Sequence, residues 1–333
     1  MTHACFDPVL LVQNYPRGKR ELLGPFHTFG PRETVAWFEA RGVKLKTEKD
    51  GRIFPVTDSS QTIIDCLLQE AKRFNVAIRT ETKLVKIEKR GSEFLLVTGS
   101  GETLHADRLI LATGSAPAGF EMARGLGHSI VPPVPSLFTF TIPEFPLVDL
   151  AGVSVRARLK LLGLEEVGPL LITHWGFSGP CALRLSAFGA RKLAEKSYET
   201  NLVVDWLPDD SFESVRASLK RGASLGLPTS LWKKLTARAG VCVPSLSHAA
   251  IERLCRILKQ DIYGMKGKSA NKEEFVTCGG VKLSEVNFKT MESKLCPGLH
   301  FCGEILDIDG VTGGFNFQNA WTTGYISGQR NIY

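Results

Sequence analysis

The chain lacks most of the short signatures that would settle its chemistry. No run of 18 apolar residues occurs, and no basic-then-apolar leader opens it, so a soluble, unsecreted protein is expected. None of the eight cysteines (Cys5, Cys66, Cys181, Cys242, Cys255, Cys278, Cys296, Cys302) forms a C-x-x-C pair, which argues against a zinc ribbon and a thioredoxin-like dithiol. Several stand in apolar runs, as Cys66 does in IIDCLL and Cys302 in LHFCG, where a free thiol acts as a small buried hydrophobe. A reducing cytosol is the expected compartment, with organellar import left open. Ser178 and His174 share THWGFSGP, but no G-x-S-x-G elbow surrounds them, which disfavours a serine hydrolase. Glu304, Asp307 and Asp309 lack the spacing of a calcium loop, so no metal is expected. No G-x-G-x-x-G is present: GSGETL at Gly99 reads as a hairpin turn, and GLGHSI at Gly125 lacks the third glycine.

What remains is an ordinary globular composition. At 333 residues, 43% hydrophobic and 23% charged, the chain is long enough for about two domains. A net charge of +7 admits acidic partners. The basic residues look dispersed (Arg17, Lys19 and Arg20; Lys83, Lys86, Lys89 and Arg90; Lys266 and Lys268), with no long run interleaved with aromatics. A small-molecule substrate is therefore expected, no membrane, and nucleic acid is not.

Residues 31–42, PRETVAWFEARG, carry Pro31 in a first turn, an early Glu33 and Gly42 as a stop, the marks of a helix. A second helix follows Ser59 and Ser60, with Ile63, Ile64, Leu67, Leu68, Ala71 and Phe74 at helical spacing. VAIRT predicts a short strand, and KLVKIEKR with EFLLVTGSGETLHAD a hairpin turning at Gly-Ser-Gly. RLILATG closes the segment as a buried strand running into Gly114. Residues 132–206 read as β-rich and proline-rich, and 210–265 as mostly helical. The order predicts an α/β fold: an incomplete Rossmann-like domain (1–119 and 275–333) interrupted by an insert over 120–274 with a β-barrel-like and a helical part.

Two stretches can carry chemistry. In GEILDIDGVTGGFNFQNAWTTGYISG, Gly303 to Gly328, a strand delivers Gly303 and Glu304, and a helix begins near Phe315. Gly310, Gly313 and Gly314 allow a ligand close to the backbone. The amides of Gly314 to Phe317 would present a positive dipole end. Such an end beside a flavin's N1–C2=O edge favours the reduced ring. Gly324 and Gly328 suggest close packing of that helix on the sheet, with Phe317 and Trp321 in its core. The other stretch is LILATGSAPAG, Leu109 to Gly119, a strand ending where a cofactor crossover fits.

DGRIFPVTDSSQ, ILATGS, THWGFSGPCALRLS, GGVKLSEVNFKTMESK and the C-terminal stretch resemble, in that order, the BaiN/RdsA-like NAD(P)/FAD-dependent oxidoreductases. The resemblance covers essentially the whole chain. It implies a glutathione-reductase-like FAD domain with an insert. Gly303, Glu304, Gly313, Gly314, Phe315, Asn316 and Gln318 would line the FAD, with Thr113 and Gly114 near its middle. By analogy with related flavoproteins, the backbone at Leu84 and Val85 would meet the adenine. Among the loop acids Asp309 is expected at the ribityl chain or as a loop cap, and His174 is read either as a proton donor near the substrate or as a structural histidine. Family members begin with a G-x-G-x-x-G segment, whereas this chain starts Met1-Thr2-His3-Ala4 and has Ser115 after the Ala-Thr-Gly. The resemblance thus implies a misplaced or truncated start, with weak FAD affinity and a destabilised sheet. The expected activity is hydride transfer through flavin N5, with NAD(P)H as reductant. The alternative is a truncated, catalytically silent remnant acting as a binding protein.

Overall fold

The computed structural model describes residues 1–223, 225–241, 247–267 and 276–329; Cys242 and Lys268 lie outside them. The chain forms two units, Met1–Pro133 with Thr277–Tyr333, and Val134–Val276.

In the first unit β1 (Thr2–His3), β2 (Leu45–Thr47) and β3 (Arg52–Pro55) make an antiparallel sheet in the order β1-β3-β2. Between β1 and β2 come α1 (Pro8–Leu11), α2 (Lys19–Thr28) and α3 (Pro31–Glu39). α3 begins as its sequence dictates. Pro31 occupies the first turn, where no amide is needed, and the Glu33 carboxylate accepts from Gly30 N at 2.9 Å. α4 (Gln61–Arg73) forms where its periodicity predicts, but its apolar stripe is uncovered. Cys66 alone is buried on it, while Ile64, Leu67 and Leu68 are exposed. Residues 76–80 form no strand, which corrects the expectation from VAIRT. β-Branched residues favour a strand only where a neighbouring strand accepts their backbone, and Val76 and Ile78 are each more than half exposed, at 58% and 56%. The meander β4 (Leu84–Arg90), β5 (Glu93–Thr98) and β6 (Thr103–Ala106) forms as expected, turning at 99–101. β7 (Leu109–Leu111) and α5 (Pro117–Gly125) follow, and β8 (Ile130–Ser136) leads into the second unit.

There, β9 (Phe140–Thr141), β10 (Ser154–Leu161), β11 (Leu164–Ile172) and β12 (Gly176–Ser178) precede α6 (Gly179–Glu195). β13 (Glu199–Asp205), α7 (Phe212–Lys220), α8 (Thr229–Arg238), α9 (His248–Gln260) and β14 (Asp261–Lys266) complete the unit. The strands form one antiparallel sheet, β14-β13-β10-β11-β12-β9. Thr141 N donates to Gly267 O at 3.4 Å just past β14, so the two edges approach as in a barrel. Phe140, Leu159, Leu170, Phe177 and Trp206 fill its core. The β-rich reading of 132–206 missed the 17-residue α6: Gly179-Pro180 looks like a turn but supplies the N-terminal helix turn.

The chain returns through β15 (Val276–Val281), β16 (Val286–Asn287), β17 (Glu292–Ser293), β18 (Leu299–Phe301) and α10 (Phe315–Gly328). β15 pairs with β8, and the other strands form a sheet in the order β16-β17-β18-β7 in which β18 and β7 pair in parallel. The mixed α/β class holds, with a smaller parallel portion than a doubly wound domain has.

Candidate cofactor-binding site

The parallel pair brings the two Gly-rich motifs together. Leu299, His300 and Phe301 register against Leu109, Ile110 and Leu111, and Cys302 N donates to Leu111 O at 3.1 Å. Thr113-Gly114 and Gly303-Glu304 therefore emerge side by side at the carboxyl ends of two strands, where open α/β sheets hold ligands. A Cβ built on Gly114 would lie 3.8 Å from Glu304 Oε2. Thr113 is exposed, its side chain set against the backbone of Gly119, where no Cβ would fit.

Glu304 is half-buried, and its Oε1 accepts from Thr277 N at 3.0 Å. Burial raises its carboxyl above the ordinary value; the Thr277 amide opposes this and the buried Asp309 adds to it. The loop after it is pinned on both sides. Asp309, fully buried, takes a bidentate ion pair from Arg17, so it anchors the loop. Asn316 Oδ1 accepts from Gly310 N at 2.7 Å while its Nδ2 donates to Gly310 O at 2.8 Å.

α10 starts at Gly314, whose φ of +96° suits glycine, and no side chain caps it. A Cβ there would sit 2.6 Å from Thr2 O of β1. Gly303 and Gly313 also have positive φ. Phe315 is buried, stacked by His3 at 4.8 Å, and its carbonyl accepts from Tyr15 Oη at 2.6 Å, so both its ring and its carbonyl are taken up by the protein rather than left open. Gln318 is fully buried. Its amide donates to Thr34 Oγ1 and Thr322 Oγ1 at 2.9 and 3.0 Å, and its carbonyl accepts from Thr2 Oγ1 at 2.5 Å. It ties α10 to β1 and α3 from behind.

Several expectations change. Gly324 and Gly328 have open space where a Cβ would stand, so they do not bring the helix onto the sheet. Phe317 is 59% exposed and stacks on Trp321, which itself meets Phe38 at 5.5 Å; only Trp321 is packing core. Val85 lies on β4, at a bulge between Leu84 and Lys86, and is exposed. His174 is exposed in the turn between β11 and β12 of the second unit. There Thr173 Oγ1 accepts from Trp175 N and Gly176 N, at 3.3 and 3.2 Å. Sequence reasoning missed Thr2, Tyr15 and Arg17, because nothing local ties them to the C-terminal loop. Among the described residues no three His, Cys, Asp or Glu side chains are grouped to hold a metal ion, and no helix is long and apolar enough to cross a membrane.

This geometry agrees with what the chain matches. The family model for the HI0933-like protein Rossmann domain matches residues 1–330. The chain belongs to the HI0933-like family. The 3-dehydro-bile acid delta(4,6)-reductase of Clostridium scindens is 31% identical over 330 residues, 90% of this chain and 80% of that protein. The ribosomal RNA dihydrouridine synthase of Escherichia coli is 29% identical over 309 residues, 86% of this chain and 76% of that one. A ribosomal RNA dihydrouridine synthase of Haemophilus influenzae is 27% identical over 308 residues. The family resemblance drawn from the motifs is thereby borne out, and the HI0933-like chain falls among flavin-dependent oxidoreductases. The expectation that nucleic acid is an improbable partner is overturned, since two relatives carry names that place their action on ribosomal RNA.

Proposed function

We propose that this HI0933-like chain is an FAD-dependent reductase that takes reducing equivalents from NAD(P)H and passes them to a carbon–carbon double bond conjugated to a carbonyl. The observation that carries the reading is the parallel β7–β18 pair, which sets Thr113-Gly114 beside Gly303-Glu304 before the uncapped start of α10. When bound, FAD supplies the hydride donor. The residues present suit it: backbone at Gly303, Gly313 and Gly314 accommodates a flat group, and the amides of the first turn of α10 favour negative charge on it. Asp309 and Asn316 hold the loop, and Gln318 holds the helix. Both relatives' names describe the same acceptor chemistry, since a delta-reductase and a dihydrouridine synthase each saturate a double bond.

The test is to load the full chain with FAD, remove free flavin by gel filtration, and add NAD(P)H anaerobically. Retained flavin that bleaches on addition supports the reading. A colourless protein sinks it and leaves the binding-protein alternative.

A further inference from the structure

The excess positive charge of this chain is not dispersed. Residues 211–260, which contain α7, α8 and α9, hold nine Lys and Arg against two Asp and Glu, an excess of seven. The remaining residues hold 32 of each sign, so this stretch accounts for the whole formal charge of +7. Four of the nine have acidic partners: Arg216 with Glu252, Lys234 with Asp149, Arg238 with Asp261, and Lys259 with Asp205. The other five, Lys220, Arg221, Lys233, Arg253 and Arg256, are all exposed, and none has an ion pair to a carboxylate among the described residues. Arg253 and Arg256 stand three apart on α9, hence on one face of it, while Ile251, Leu254, Cys255 and Leu258 are buried.

We propose that these helices form an RNA-binding surface, with Lys220, Arg221, Lys233, Arg253 and Arg256 as phosphate contacts that bring an RNA acceptor to the enzyme. The inference names the substrate class of the reductase reading and rests on it. Unneutralised, solvated cations held on a packed scaffold attract a polyanion whatever its sequence, and they do so by releasing its counterions. A neutral small molecule would draw nothing from this charge, whereas the two relatives named for ribosomal RNA act on such a polyanion.

The experiment titrates a fluorescent ribosomal RNA fragment with the full chain across salt concentrations. Wild type is compared with a variant in which all five residues are alanine, and with one in which each Lys is Arg and each Arg is Lys. Five contacts predict a slope of log K against log salt of about −3.5 for single-stranded RNA. The alanine variant should bind at least about tenfold more weakly near 0.1 M salt with a flatter slope, and the swapped variant should bind like wild type. Unchanged affinity and slope in the alanine variant overturn the proposal, as does tighter binding of wild type to phosphatidylglycerol vesicles than to RNA. Flavin retention and NAD(P)H bleaching are read on the same proteins. Their absence in wild type counts against the reductase alone, because the RNA titration still decides the surface.

Discussion

At the residue scale the site depends on positions that tolerate little else. Gly314 combines a φ of +96° with a Cβ position 2.6 Å from Thr2 O. Gly314→Ala should therefore cost about 1–3 kcal/mol in urea unfolding and lower retained flavin, since backbone strain and a backbone clash act together. Glu304 predicts a pH signature. Its folded-state pKa is raised above the ordinary 4.5, so the folded chain holds that proton more tightly than the unfolded one. The resulting stability is present below 4.5 and is lost as pH rises through the raised value. Glu304→Gln, which keeps an acceptor for Thr277 N, should remove that decline. Unfolding midpoints of the two proteins, similar at pH 4, should separate in favour of the variant toward pH 7; parallel curves would show that Glu304 does not titrate this way.

At the element scale, α4 and α10 show how far local pattern reaches. The spacing of Ile64, Leu67 and Leu68 specifies a helix, and a helix forms, yet in this structure their face meets solvent. Leu68→Lys should accordingly change stability by no more than about 0.5 kcal/mol and reduce binding of a hydrophobic dye. A loss of several kcal/mol would mean that the face is covered in solution. On α10 the reverse holds: Gln318, expected to line the cofactor, and Asn319 are buried, because the helix is enclosed by β1, α3 and the loop from Gly303, and the Gln318 amide is taken up by Thr2, Thr34 and Thr322.

At the scale of the whole molecule, each unit has its own core. Phe177 is fully buried between Phe145, Trp206 and Tyr263, with ring centroids at 5.0, 5.9 and 5.0 Å. Phe177→Ala should cost about 3–5 kcal/mol. Hydrogen exchange should quicken across the second unit while β18 and α10 keep their protection, which uniform loss would contradict. The sequence by itself determined the helices with clear caps, the β4–β6 meander, the two Gly-rich motifs and the family, since each is written in neighbouring residues. Tertiary structure alone decided that β7 lies beside β18, that Arg17 anchors Asp309, that Thr2 blocks any side chain at Gly314, and that VAIRT finds no strand to join. Those outcomes hinge on partners far apart in the chain, and a local pattern can state that a residue needs a partner without saying which one the fold will supply.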